Sequence, residues 1–136
     1  MKKITALLWL TMLHAGAASA LNPGLYEYTM KMNMPGAPTA LPPTTIQRCL
    51  SAKDVEGAKA VEMPPMPNSD CKVLNQNISG AQFSYRISCT KPQKLDGDVK
   101  GTVSATTLSM DMTMHTPGAP GPMTQNISAK RLGDCK

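Results

Sequence analysis

A chain of 136 residues with 14 Lys and Arg against 9 Asp and Glu carries a formal charge of +5. Its basic residues, among them Lys31, Arg48, Lys72, Arg86, Lys100 and Lys130, are scattered along the chain, whereas nucleic-acid recognition calls for a clustered basic face. The length suits one domain around one core. The 11 methionines stand against one Phe, three Tyr and one Trp, so methionine is the unusual element of the composition.

The first twenty residues read as a secretory signal peptide. Met1-Lys2-Lys3 supplies a positive start, Ile4 to Leu13 an apolar run, and Ala18 and Ala20 a small-residue cleavage site. The apolar run is too short to span a bilayer as a helix, and no Cys follows the cut to carry a lipid anchor. The expected organisation is a signal peptide over 1–20 and a single disulfide-stabilised β domain over 21–136, exported to the periplasm or secreted.

Beyond the leader the chain alternates with period two, the mark of half-buried antiparallel strands. Tyr26, Tyr28, Met30, Met32 and Met34 share one face, and Glu27, Thr29, Lys31 and Asn33 the other. Pro35-Gly36-Ala37-Pro38 then opens a proline-stiffened tip, after which Thr44 to Leu50 is expected to return as a partner strand. In the next segment, "SAKDVEGAKAV", Ser51 and Asp54 form a capping-box pattern that predicts a short surface helix. Glu62 to Asp70 is proline-rich and reads as an extended connector. Two runs around Ser79-Gly80, Cys71 to Ile78 and Gln82 to Cys89, form a hairpin. With a three-residue loop, Ser79 to Ala81, Ile78 faces Gln82 and Cys71 falls opposite Cys89. Asp96-Gly97-Asp98 reads as a turn, and Val99, Gly101 and Val103 as a weaker strand. Leu108, Met110, Met112 and Met114 repeat the methionine alternation and run to a second Pro-Gly-Ala-Pro, Pro117 to Pro120. Met123, Gln125, Ile127 and Ala129 form the last strand. The fold class is therefore all-β: about seven antiparallel strands in a curved sheet, half-barrel or small barrel, with one short helix.

An even number of cysteines behind an export signal argues for two disulfides. Opposed strand positions can be bridged, which favours Cys71–Cys89 and leaves Cys49–Cys135. There is no C-x-x-C pair to act as a thiol oxidoreductase. The single His beyond the leader, His115, lies far from any Cys, which disfavours zinc. No Ser-His-Asp or Cys-His arrangement and no phosphate-cradling glycine loop is visible; the expectation is a protein that is not an enzyme and needs no cofactor.

Three uses of the methionine face remain. It forms the inner face of the sheet, as alternation in antiparallel sheets ordinarily does. Alternatively Tyr26, Tyr28, Met30, Met32, Met34, Met110, Met112 and Met114 wall an apolar groove for a lipid-like or other hydrophobic small molecule, or for an envelope protein, since methionine suits adaptable surfaces. The third use is a Cu(I) site on Met110, Met112, Met114 and His115, because thioethers select soft ions; in a regular strand, however, His115 points away from the three methionines.

"PGLYEYTMKMNMPG" (Pro23 to Gly36), "QRCL" (Gln47 to Leu50), "DCKV" (Asp70 to Val73), Cys89 and the closing "AKRLGDCK" (Ala129 to Lys136) resemble a family of small exported bacterial proteins, domain of unknown function 3617. The resemblance covers nearly all of the chain beyond the leader. Tyr26 stands where members often carry Trp, which keeps an aromatic. The resemblance implies a bacterial periplasmic location and the same four-cysteine framework, and it brings no activity, ligand or catalytic residue.

Overall fold

The computed structural model describes residues 21–62 and 68–136; the leader expected over 1–20 and part of the proline-rich connector lie outside them. Seven strands follow one another: β1 (Gly24–Asn33), β2 (Thr44–Leu50), β3 (Asp70–Ser79), β4 (Gln82–Lys91), β5 (Leu95–Val103), β6 (Thr107–His115) and β7 (Met123–Gly133). They form one antiparallel sheet in the order β2-β1-β7-β6-β5-β4-β3. Strands β3 to β7 meander, and β7 then pairs with β1 from Leu25↔Gly133 to Asn33↔Thr124. The two methionine-rich strands, β1 and β6, thus flank the same neighbour, β7.

A single sheet with no second layer hides an apolar face only by curling around it. The sheet is curved and unclosed, with β2 and β3 at its edges. The alternating residues Phe83, Tyr85 and Ile87 of β4, Val99 and Val103 of β5, and Leu108, Met110 and Met112 of β6 are all buried on the inner face. Leu50, the last residue of β2, and Leu21, Val55 and Val61, contributed from beside or between strands, complete this core. The outer face is polar: Asn126 Nδ2 donates to Asp111 Oδ1 at 2.8 Å, Ser88 Oγ to Asp96 Oδ1 at 2.8 Å, and Arg86 pairs with Asp98 at 3.3 Å.

The two Pro-Gly-Ala-Pro tips lie side by side. A Cβ built on Gly121 would stand 3.3 Å from Pro35 Cγ, and one on Gly36 3.6 Å from Pro120 Cγ. Strands that share β7 as neighbour must end level with one another, and two prolines at each end stiffen the contact.

Disulfides join Cys71 to Cys89 and Cys49 to Cys135, over sequence separations of 18 and 86. The first staples edge strand β3 to β4, and the second ties the end of β2 to the end of the chain.

Three local expectations are corrected. The β3–β4 turn has two residues, not three: Ser79 pairs with Gln82 and Ile78 with Phe83. A bulge between Leu74 and Asn77, with Asn75 at φ 52°, takes up the extra residue, and Cys71 still faces Cys89. Asp96-Gly97-Asp98 is strand, not turn; Gly97 pairs with both Ile87 and Met114, and its missing side chain makes room for Met114 Cγ, 3.3 Å from where a Cβ would stand. The expected helix after Cys49 shrinks to turns and one 3-10 turn, Gly57–Ala60. Its capping bonds do form, with Ser51 N and Oγ donating to Asp54 Oδ2 at 2.8 and 2.6 Å. Gly57, at φ 58°, then breaks the helical path, and Val55 and Val61 turn inward as plugs.

Candidate functional site

The most specific sequence motifs prove to be structural. Tyr26 is fully buried; its hydroxyl donates to Asn22 O at 2.7 Å and Ala105 O at 3.3 Å. Burial pushes its pKa up, and nearby Arg131 partly offsets the rise. Arg131 Nε donates to Pro23 O at 2.9 Å, and its guanidinium also pairs with Asp134. Gly24, at φ 150°, must lack a side chain, because a Cβ would come within 2.5 Å of Gly133 O. The opening Pro-Gly-Leu-Tyr and the closing Arg-Leu-Gly-Asp-Cys therefore form one clasp between the two ends of the domain. Tyr26 belongs to this clasp and is removed from the candidate ligand face.

The inner face holds a groove of about 440 Å³ toward the β2 edge. The register explains its floor. Met30, Ile127 and Met110 stand in one row across β1, β7 and β6, and Tyr28, Ala129 and Leu108 in the next. On β2, Ile46 faces Tyr28 and Arg48 faces Tyr26, so both point inward and raise one wall. The segment after β2 closes the other side with Asp54, Lys59, Ala60 and Glu62. The result is an apolar floor with a charged rim. Tyr28, half-buried there, has its pKa raised by burial, with Arg48 acting in the opposite direction. The two Ser51 hydrogen bonds hold the exposed Asp54 carboxyl below its usual pKa, so it is charged at neutral pH.

Of the eight residues expected on a ligand face, the groove brings together Tyr28, Met30 and Met110. Met112, 2% exposed, is core. Met32 and Met114 are half-buried nearer the proline tips, and Met34 is 40% exposed beside its tip. Of the copper set, Met110, Met112 and Met114 share the inner face of β6, whereas His115 faces Asp96 on its outer side, as alternation requires. Sequence reasoning missed Ile46, Arg48, Leu50, Leu108 and Ile127 as groove residues. The available signal was the pairing of Thr44–Leu50 with the first strand, which carries Ile46, Arg48 and Leu50 onto the tyrosine side.

A single curled antiparallel sheet, clasped end to end and stapled by two disulfides, defines the class. Within it, residues 21–135 match the model of a family described as protein of unknown function (DUF3617), and the chain belongs to that family. No curated protein and no solved structure matches the chain. No helix among the described residues is long and apolar enough to cross a membrane.

Proposed function

We propose that this is an exported, non-enzymatic binding protein whose inner groove takes a hydrophobic or lipid-like small molecule. The observation that carries this reading is the groove itself. A cleft of about 440 Å³ with Tyr28, Met30, Ile46, Leu108, Met110 and Ile127 in its lining falls within the size and composition range of small-molecule sites. Two of its linings are methionines, whose flexible thioethers accommodate varied apolar shapes. The rim charges of Arg48 and Lys59 lie where the polar end of an amphipathic guest would meet water. Export is supported by the two disulfides, which persist in oxidising compartments, and by the leader sequence.

Ile46→Trp tests the proposal. Ile46 is 47% exposed, so the larger ring enters the groove without disturbing the core. Affinity for an apolar fluorescent probe is expected to fall by about tenfold, equivalent to about 1.4 kcal/mol, with the thermal midpoint little changed. Equal probe affinity in the two proteins would refute the groove as the binding site.

A further inference from the structure

The methionines outside the groove form a second arrangement, at the end of the sheet beneath the paired proline tips. Met123, the first residue of β7, is directly opposite Met114 of β6. On its other side, β1 and β7 pair in register through Met32↔Gln125 and Asn33↔Thr124. Carried one residue further, that register brings Met34 level with Met123. The contact of Pro35 with Gly121 holds the neighbouring tips together at this point. Met114 and Met123 thus face each other across two strands, a step of about 4.8 Å, and Met34, the residue after β1 and the first of the turn in which Ala37 N donates to Met34 O at 3.2 Å, follows beside Met123. Met32 and Met112 stand one row behind them on the same face, flanking Gln125.

Core packing explains Met112, which is buried, and engages Met114, which packs against the core, but it does not account for Met123 and Met34. Met114 and Met123 are half-buried and Met34 is exposed, so solvent reaches the thioethers from the tip end. Opposite Met114, β5 presents Gly97, and the Met114 side chain lies over it, its Cγ 3.3 Å from where a Cβ would stand. Among the described residues no group of three or more His, Cys, Asp or Glu gathers to hold a metal; the side chains of the front row are thioethers, with the Gln125 amide one row behind. Thioether donors are soft and select Cu(I) over the harder divalent ions, and three flexible arms at this spacing can converge on one small ion.

The geometry points to a Cu(I) site formed by the thioethers of Met34, Met114 and Met123 at the tip end of the sheet. This site is separate from the groove, and neither depends on the other.

The test uses the oxidised chain labelled with carbon-13 at its methionine methyl groups. One equivalent of Ag(I), a redox-inert stand-in, is titrated by NMR, and Cu(I) is titrated anaerobically against a colorimetric chelator. The Met34, Met114 and Met123 methyl signals are expected to shift together and saturate at a single ion, while those of Met30 and Met110 stay in place. The combined Met34→Leu, Met114→Leu and Met123→Leu variant is expected to bind Cu(I) at least about a hundredfold more weakly, beyond the range seen for loss of supporting groups around a metal. Shifts centred on Met30 and Met110, the absence of a saturable shift, or undiminished affinity in the variant would each overturn the assignment. The titration of the unsubstituted chain decides the matter even if the variant does not fold.

Discussion

At the scale of single residues, Tyr26 does the most to explain why both ends of the domain are so specific. Its ring is fully buried on β1, beside β7, and its one hydroxyl proton reaches the backbone carbonyl of Asn22 at 2.7 Å, with that of Ala105 farther off at 3.3 Å. Tyr26→Phe keeps the ring and removes the donor to Asn22 O, while Ala105 O still accepts from Asn22 N at 2.8 Å, so a loss of about 1 kcal/mol in urea unfolding is expected. The pH dependence follows from the raised pKa of Tyr26. A folded-state pKa above the unfolded value favours the neutral phenol in the native protein. That contribution is fully present below the model-compound value of 10.0 and is lost as pH rises through the higher folded value. The phenylalanine variant is therefore expected to lose less stability than the parent between neutral pH and pH 11, and an identical alkaline decline in both would count against the buried hydroxyl.

At the scale of elements, the alternating residues of β1, β4 and β6 announced their faces in the sequence, because a half-buried antiparallel strand leaves few ways to place Tyr28 or Met112. Bends were less legible. The bulge in β3 rests on Asn75 taking a positive φ, which alternation does not encode, so alternation alone makes the turn at Gly80 one residue too long and still brings Cys71 opposite Cys89. The Ser51–Asp54 box signalled a true capping arrangement, but the tertiary demand for Val55 and Val61 as plugs overrode helix propagation beyond it. The groove was the least legible feature, since it needs β2 beside β1 and the segment after β2 in its lining. The two disulfides also differ in weight. On loop-closure entropy, the bond spanning 86 residues contributes about 4.5 kcal/mol and the one spanning 18 about 3 kcal/mol. Replacing Cys49 and Cys135 by Ser is accordingly expected to lower the urea midpoint more than the same change at Cys71 and Cys89; the reverse order would show that the β3 edge, not the end-to-end clasp, limits stability.

At the scale of the whole molecule, the fold has one working face. Its polar outer side is tied by side-chain hydrogen bonds, whereas exposure on the inner side is graded: the row of Val99 and Met112 is closed core, the groove row of Met30 and Met110 adjoins it on one side, and Met114, Met123 and Met34 adjoin it on the tip side. The repeated Pro-Gly-Ala-Pro belongs to this plan: it ends two strands at the same level on either side of β7. On the proposals above, methionine serves each zone in a different way, as filler, as adaptable wall and as soft donor.

The measurement that tests this gradient most directly is peroxide footprinting of the methionines in the metal-free, oxidised protein, followed by peptide mass spectrometry over time. Met34, 40% exposed, is expected to form sulfoxide first, with Met110 and Met112, at 4% and 2% exposure, reacting last and only as the protein opens. If Met110 and Met112 are oxidised as fast as Met34, the methionine face is not the interior of the sheet, and the core, the groove and the tip-end site fall together.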